Sequence, residues 1–303
     1  MAASTPTASP VTPNARVALV TGANSGIGRV TAVELALRGY HVFLACRDAD
    51  KAAEVLREIG ARSGGTARAE FIALDLGDLA SVRRCALAFI ARGLPLHLLV
   101  NNAGLAGQKG FTPSGFELAF GVCHVGHFLL TRLLLNRLKE AAPSRVVVVA
   151  SRAHRHARGI DFEAVRQPTR SAGGLMDYSV AKLANILFAA ELGRRLAGTG
   201  VTTYALHPGV VATGIWRVLP RPLDRLVQLF MIGSEDGAKT TLHCATSDAV
   251  AEQTGLYYVK CAVARPTPVA QDAALAQALW TASEGWTADW AAPVGTGDLL
   301  LKA

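Results

Sequence analysis

A chain of 303 residues, half of them hydrophobic and 18% charged, can bury a large core, which excludes global disorder. Its net charge of +8 suits acidic small ligands or an anionic membrane face. Nucleic acid is set aside, because the basic residues are dispersed and no zinc-finger spacing or aromatic-rich basic strand accompanies them. The five cysteines (Cys46, Cys85, Cys123, Cys244, Cys261) show no CxxC spacing, which points to a reduced, cytoplasmic setting and away from disulfides or structural zinc.

Residues 1–14 are small, polar and proline-bearing, and read as a disordered lead-in without the features of a signal peptide. No run of about 18 consecutive apolar residues follows, so a soluble protein without a transmembrane anchor is expected. From there, apolar runs alternate with helix-period segments, the pattern of a parallel sheet covered on both faces. Residues 17–20 form a first strand and 26–38 a helix ended by Gly39. A second strand (41–46), a helix (49–62), a third strand (70–74) and a helix (78–91) capped by Asp78 or Ser81 come next. A fourth strand covers 96–100, a long helix 114–140, a fifth strand 145–150, a strong helix 178–197 and a sixth strand 201–206. Residues 256–259 make a plausible seventh. The expected fold is α/β, a single-domain Rossmann-type doubly wound parallel sheet of about seven strands. The domain spans 15–284, followed by a tail over 285–303. Residues 152–174, 215–233 and the tail fit this scheme poorly.

In such sheets ligands sit beyond the carboxyl ends of the strands. After the first strand those ends carry Gly22, Asn24, Ser25, Gly26, Ile27 and Gly28, a glycine-rich turn of GxxxGxG spacing that opens a helix. Such a turn brings a backbone close to a pyrophosphate and aims the helix N-terminus at its charge. After the second strand, where an NAD site wants a carboxylate for the ribose diol, stand Cys46 and Arg47. An arginine there offers paired hydrogen bonds to a 2′-phosphate, so NADP is favoured. The alternative is a solvated arginine, with Asp48 next door opposing the phosphate. Asp75, with Leu76 beside it, can face the adenine or cap a helix. Asn102, Ala103 and Gly104 can bring a backbone to the adenosine half or form a plain turn.

Tyr178 and Lys182 lie one helical turn apart in YSVAK, on one helix face. A free phenol titrates near pH ~10, and a cation within a few ångströms favours its phenolate by roughly 1–3 units. Tyr178 therefore reads as a general acid/base, with Lys182 as its electrostatic tuner and a ligand of the nicotinamide ribose. An exposed Tyr and Lys on an amphipathic helix is the bland alternative.

Together the TGxxxGxG turn, NNAG (101–104), a serine after the fifth strand, YxxxK and Pro208-Gly209 after the sixth resemble the short-chain dehydrogenase/reductase family, in its order and over about residues 16–282. LACRD (44–48), GHFLLT (126–131), KLAN (182–185) and TTYALHPG (202–209) resemble its retinol-dehydrogenase-like branch. The resemblance implies NADP(H), an apolar carbonyl or alcohol substrate that includes retinoids, and Ser151 as the catalytic serine. It also implies Pro208, Gly209, the Val211 backbone and the Thr213 hydroxyl near the nicotinamide amide. Many animal members of that branch carry an N-terminal membrane anchor, which the lead-in here does not resemble. Homo-oligomerisation is possible on this reading.

One departure stands out. Where the branch has VNHxGHF, this chain has Val122-Cys123-His124-Val125-Gly126-His127-Phe128, so Cys123 replaces an asparagine that helps hold a water next to the active lysine. A thiol is a weak donor and acceptor and cannot copy an amide. A water or His124 compensates, or proton relay slows. The alternative function is accordingly an NADP-binding sensor or scaffold of low turnover. Cys123 itself reads either as a reactive thiol or as a buried small residue. His154 and His156 lack a carboxylate or cysteine cluster and read as loop residues edging the pocket, with no metal. Residues 215–233 alternate arginines with Trp216, Leu219, Leu223, Leu226, Leu229 and Phe230. By position they resemble a substrate flap, with peripheral membrane contact as the other reading.

Overall fold

The computed structural model describes residues 15–209 and 233–291. Residues 1–14, 210–232 and 292–303 lie outside the described part. That places Val211, Thr213 and nearly all of the expected flap beyond it.

Eight strands form one sheet in the order β3-β2-β1-β4-β5-β6-β7-β8: β1 (Val17–Thr21), β2 (His41–Cys46), β3 (Ala69–Ala73), β4 (Leu98–Asn101), β5 (Ser144–Val149), β6 (Val201–His207), β7 (Leu256–Val259) and β8 (Ala262–Val263). All neighbours are parallel except β7 and β8. The helices are α1 (Gly26–Leu37), α2 (Ala49–Arg62), α3 (Leu79–Ile90), a short α4 (Leu118–Phe120), α5 (Gly126–Glu140), α6 (Leu175–Arg195), α7 (Ser234–Thr246), α8 (Ala273–Trp286) and α9 (Ala288–Ala291).

Every residue of β1, β2 and β4 is buried, as expected of strands covered on both faces. Their side chains alternate between two cores. Val17 and Leu19 join the core under α3, α5, α6 and α8, while Ala18 and Val20 join the core under α1, α2 and α7. Chain order reverses at β1, whose neighbours are β2 and β4, so the two halves of the sheet diverge there and leave a crevice at their carboxyl ends.

The reading of the chain as a doubly wound parallel sheet matches this architecture, and most differences are local. Asp78, not Ser81, caps α3, its carboxylate accepting from the Ala80 N–H, while the Ser81 hydroxyl accepts from the Asp75 N–H. An eighth strand follows a two-residue turn at Lys260 and Cys261, whose φ values of 51° and 61° suit a hairpin connection. The long helix begins at Leu118, where the Glu117 carboxylate accepts from the Phe120 N–H, and it is not uniform. Gly121–Val125 forms a wide π-type turn in which the Gly126 N–H reaches back to the Gly121 carbonyl. Residues 152–174 are connected by short 3-10 turns. In the expected tail, α8 runs to Trp286, whose ring meets Phe116 edge-on. Helical residues 118–140 are long and apolar enough to cross a membrane by length and composition, with a mean hydropathy of 1.6, but 72% of that window is buried inside the fold. They form a core helix.

Gly126 sets how closely α5 approaches the sheet. A Cβ there would stand 2.4 Å from the Leu76 carbonyl oxygen, a backbone atom that cannot step aside without moving the β3–α3 turn. Gly126→Ala is expected to destabilise the fold by about 1–3 kcal/mol through overpacking. Denaturant melts would check this, and an unchanged midpoint would mean that the turn yields freely.

Candidate active site

The carboxyl end of β1 is fastened to that of β4. The Thr21 hydroxyl oxygen accepts from the N–H groups of Asn102 and Ala103, both at 2.9 Å, and the Asn102 amide donates to the Thr21 carbonyl at 2.8 Å. Gly22 follows with φ +65°, and its Cβ would press on Ala103. Gly28 is tighter: a Cβ would lie 2.2 Å from the Gly22 carbonyl oxygen and 2.5 Å from the Asn102 amide nitrogen. Only glycine can close this turn. Ser25 caps α1 with extended backbone but makes no side-chain hydrogen bond, and the first turn holds no acidic residue. The leading N–H groups of α1 thus face the cleft uncapped, as an anion site requires. Asn24, Ser25, Gly26 and Ile27 complete the loop.

At the next strand end, Arg47 is exposed. Asp48 is committed elsewhere: its carboxylate caps α2 through the Lys51 N–H at 3.0 Å and pairs with the Lys51 ammonium at 2.8 Å. The hydrogen bond from the Lys51 ammonium, followed by the capping hydrogen bond, holds the Asp48 carboxyl below its ordinary range. Asp75 does not cap α3. Its carboxylate closes a local turn by accepting from the Gly77 N–H at 2.9 Å, and Leu76 beside it is buried against Gly126.

From Asn102 and Ala103 the chain continues to Gly104, which faces the other half of the site. A Cβ on Gly104 would lie 3.2 Å from the Lys182 Nζ and 3.3 Å from the Cys123 Sγ. Lys182 is 3% exposed and donates to the Val149 carbonyl at 2.8 Å. Asn185, one turn further along α6, donates to the same carbonyl at 3.2 Å. The Lys182 ammonium stands 5.5 Å from the centre of the Tyr178 ring.

Ser151 lies just past β5. Its oxygen accepts from the Ala153 N–H at 3.1 Å, and its hydroxyl acts on the Tyr178 phenol in favour of the ionised form. The net shift of Tyr178 is nevertheless upward. Burial outweighs the Lys182 charge, Cys123 adds to burial, and the Ser151 hydroxyl opposes them. This corrects the expectation from nearby positive charge: with the chain alone, burial dominates and Lys182 moderates it.

The backbone at Ser151 and Arg152 is held by two histidines. His154 is fully buried, against the expectation that it edges the pocket. Its Nδ1 donates to the Ser151 carbonyl at 2.7 Å and its ring meets Tyr257 edge-on. His207, at the end of β6, accepts from the Arg152 N–H at 3.3 Å, and burial, with help from Arg152 and His154, pushes its pKa down to about 4. Pro208 and Gly209 follow directly. Cys123 is buried, its nearest polar partner the Leu105 carbonyl at 3.9 Å. His124 does not take the place of the missing amide here: its Nε2 meets the Ser283 hydroxyl at 2.9 Å among aromatic rings, and its buried Nδ1 has no hydrogen-bond partner.

The described residues thus join the glycine turn, Asn102–Ala103–Gly104, Lys182, Tyr178 and Ser151 into one continuous wall. A family model for short chain dehydrogenases matches residues 16–223. The chain belongs to the short-chain dehydrogenase/reductase family. Among curated relatives, this short-chain dehydrogenase is 46% identical to dehydrogenase/reductase SDR family member 13 of Bos taurus, over 88% of the chain and 72% of the relative. It is 43% identical to retinol dehydrogenase 11 of Mus musculus, over 91% and 88%. A crystal structure of an uncharacterized protein from Mycobacterium paratuberculosis superposes with a TM-score of 0.71 at 36% identity, over 90% of this chain and 93% of that one. The short-chain dehydrogenase fold also matches an actinorhodin polyketide ketoreductase solved with NADPH, at TM-score 0.62 and 24% identity over 80% and 94%. These relatives make the chain an oxidoreductase of retinol-dehydrogenase-like type.

Proposed function

We propose that the chain is an NADP-dependent oxidoreductase acting between an apolar aldehyde or ketone and its alcohol, with Tyr178 as general acid/base. The observation that carries this reading is the convergence of the Tyr178 ring, the Lys182 ammonium and the Ser151 hydroxyl on the wall that begins at the Gly22–Gly28 turn. The nicotinamide dinucleotide supplies the hydride when bound.

The chain's own residues supply geometry and the proton. The uncapped start of α1 and the turn through Gly22, Gly26 and Gly28 receive the pyrophosphate. Asp75 and Leu76 flank the adenine, and Asn102, Ala103 and Gly104 line the adenosine side. Lys182 has further N–H donors beyond the one on Val149, and these suit ribose hydroxyls. Pro208, Gly209, Val211 and Thr213 belong to the nicotinamide end. In the reducing direction the Tyr178 phenol gives its proton to the carbonyl oxygen while Ser151 donates to that same oxygen. In the oxidising direction the phenolate takes the proton back. Because burial holds the phenol protonated, the free chain is poised as an acid, which suits carbonyl reduction.

Two observations support NADP over NAD. Arg47 is exposed at the β2 end, and the one carboxylate beside it is engaged by Lys51 and the α2 cap. A 2′-phosphate meets a cation there with little opposition. The retinol dehydrogenases among the relatives favour a lipophilic substrate such as retinal.

NADPH oxidation measured against a panel of aldehydes and ketones, from retinal to small aromatics, tests the reading. Turnover is expected with lipophilic members. Tyr178→Phe should lower kcat by 100-fold or more, in the range usual for a lost acid/base group (~10²–10⁴), while leaving NADPH affinity nearly intact. Turnover unchanged in that variant would remove Tyr178 from its role, and tight cofactor binding without turnover on any carbonyl would favour a low-turnover sensor. Fluorescence titration should show tighter binding of NADPH than NADH, with Arg47→Glu erasing that preference by roughly tenfold or more. Equal affinities in the unaltered protein would contradict the NADP assignment.

A further inference from the structure

His127 is 1% exposed, on α5 beside the carboxyl end of β1. Both of its ring nitrogens are nonetheless engaged. Nδ1 lies 3.0 Å from the Cys123 carbonyl and Nε2 lies 2.8 Å from the Thr21 hydroxyl oxygen. A carbonyl can only accept, so Nδ1 carries the hydrogen and Nε2 is left to accept. Thr21 already accepts from two backbone N–H groups and has one proton to give. The Val100 carbonyl at 3.3 Å is the longer choice and the imidazole the shorter. Burial drives the His127 pKa down to about 4, and the nearby Lys182 charge contributes, so this neutral tautomer holds at neutral pH.

The two ends of this bridge lie on the two halves of the site. Thr21 clasps β1 to β4 at the glycine turn. Cys123 belongs to the π-type turn that faces Lys182 across Gly104. The backbone of His127 is anchored as well: the Asn101 amide donates to the Thr21-proximal helix through Thr131, whose hydroxyl donates to the His127 carbonyl at 2.7 Å. A wide turn has looser backbone hydrogen bonding than an α-helix, so a side chain that grips one of its carbonyls can fix its place.

Building on the dinucleotide site proposed above, we infer that His127 is a positioning residue. Its imidazole holds the Thr21 clasp and the Cys123 turn in one register, and thereby sets the cofactor cradle against the Lys182 side of the site.

Two substitutions separate the ends of the bridge. His127→Gln can place an amide oxygen near the Nε2 position and keep the acceptor for Thr21. His127→Asn keeps a donor near the Nδ1 position and loses that acceptor. NADPH dissociation constants from fluorescence titration are the main readout, beside thermal melts and kcat. His127→Gln should stay within about threefold of wild type, and His127→Asn should weaken NADPH binding about tenfold, the scale of one lost buried hydrogen bond. Thr21→Val should weaken it at least as much, and the Thr21→Val, His127→Asn pair should be no worse than Thr21→Val alone, since both act through one contact. Thr21→Ser, which keeps the hydroxyl, should rescue binding. Losses that add, equal losses in the Gln and Asn variants, or an Asn variant with lowered melting and unchanged NADPH affinity would overturn the inference. If His127→Asn fails to fold, the Thr21 pair decides: Thr21→Val binding NADPH as wild type does would overturn it. Unaltered protein that binds neither NADPH nor NADH would sink the dinucleotide reading itself, and this inference with it, before any variant is compared.

Discussion

Lys182 is 3% exposed, and an ammonium so far from water must have its lost hydration replaced by hydrogen bonds. It finds the Val149 carbonyl at the end of β5, with Asn185 bonded to the same oxygen, and the Tyr178 ring 5.5 Å away. That placement fixes several other choices. A side chain at residue 104 would press on the ammonium and the Cys123 thiol, which would have to give by a few tenths of an ångström. Tyr178 must lie one turn earlier on α6, and the strand ends must converge so that carbonyl, ammonium and phenol share one wall. The sheet arranges this by reversing chain order at β1, which opens a crevice where β1 and β4 end together.

Charge and burial pull Tyr178 in opposite directions, and both come from the same packing. The helix that delivers Lys182 also carries Tyr178, half-buried against the core, and in the chain alone burial wins. A neutral phenol with a hydroxyl partner at Ser151 is suited to give a proton. A second positive charge at the site would shift the balance toward the phenolate. Under the proposed function, an oxidised nicotinamide would supply such a charge and a reduced one would not, with no change in the residues.

Much of this was legible in the sequence because it rests on local rules. Alternation of apolar runs with helical periods identifies a doubly wound sheet, and glycines at 22, 26 and 28 mark a turn whose Gly28 packs against the Gly22 carbonyl itself. YxxxK spacing puts phenol and ammonium on one face. What was not legible depends on contacts distant in sequence. His127 lies 106 positions from Thr21, and nothing in GHFLL announces that its imidazole reaches β1. His154 looked like a pocket-edge residue, yet it is fully buried against the carbonyl of Ser151 and the ring of Tyr257. The π-type turn at Cys123 has no composition signal, and the β7–β8 turn uses Lys260 and Cys261 where glycine or asparagine would have advertised it. The sign of the Tyr178 shift needed burial, which spacing does not supply.

The most direct test of the central claim is an ultraviolet titration of the free protein, in which the difference between wild type and Tyr178→Phe isolates one phenol among five tyrosines. Ionisation above the ordinary phenol range is expected, rising further when Lys182→Met removes the opposing charge. A Tyr178 that titrates at the same pH with and without the Lys182 ammonium would contradict the claim.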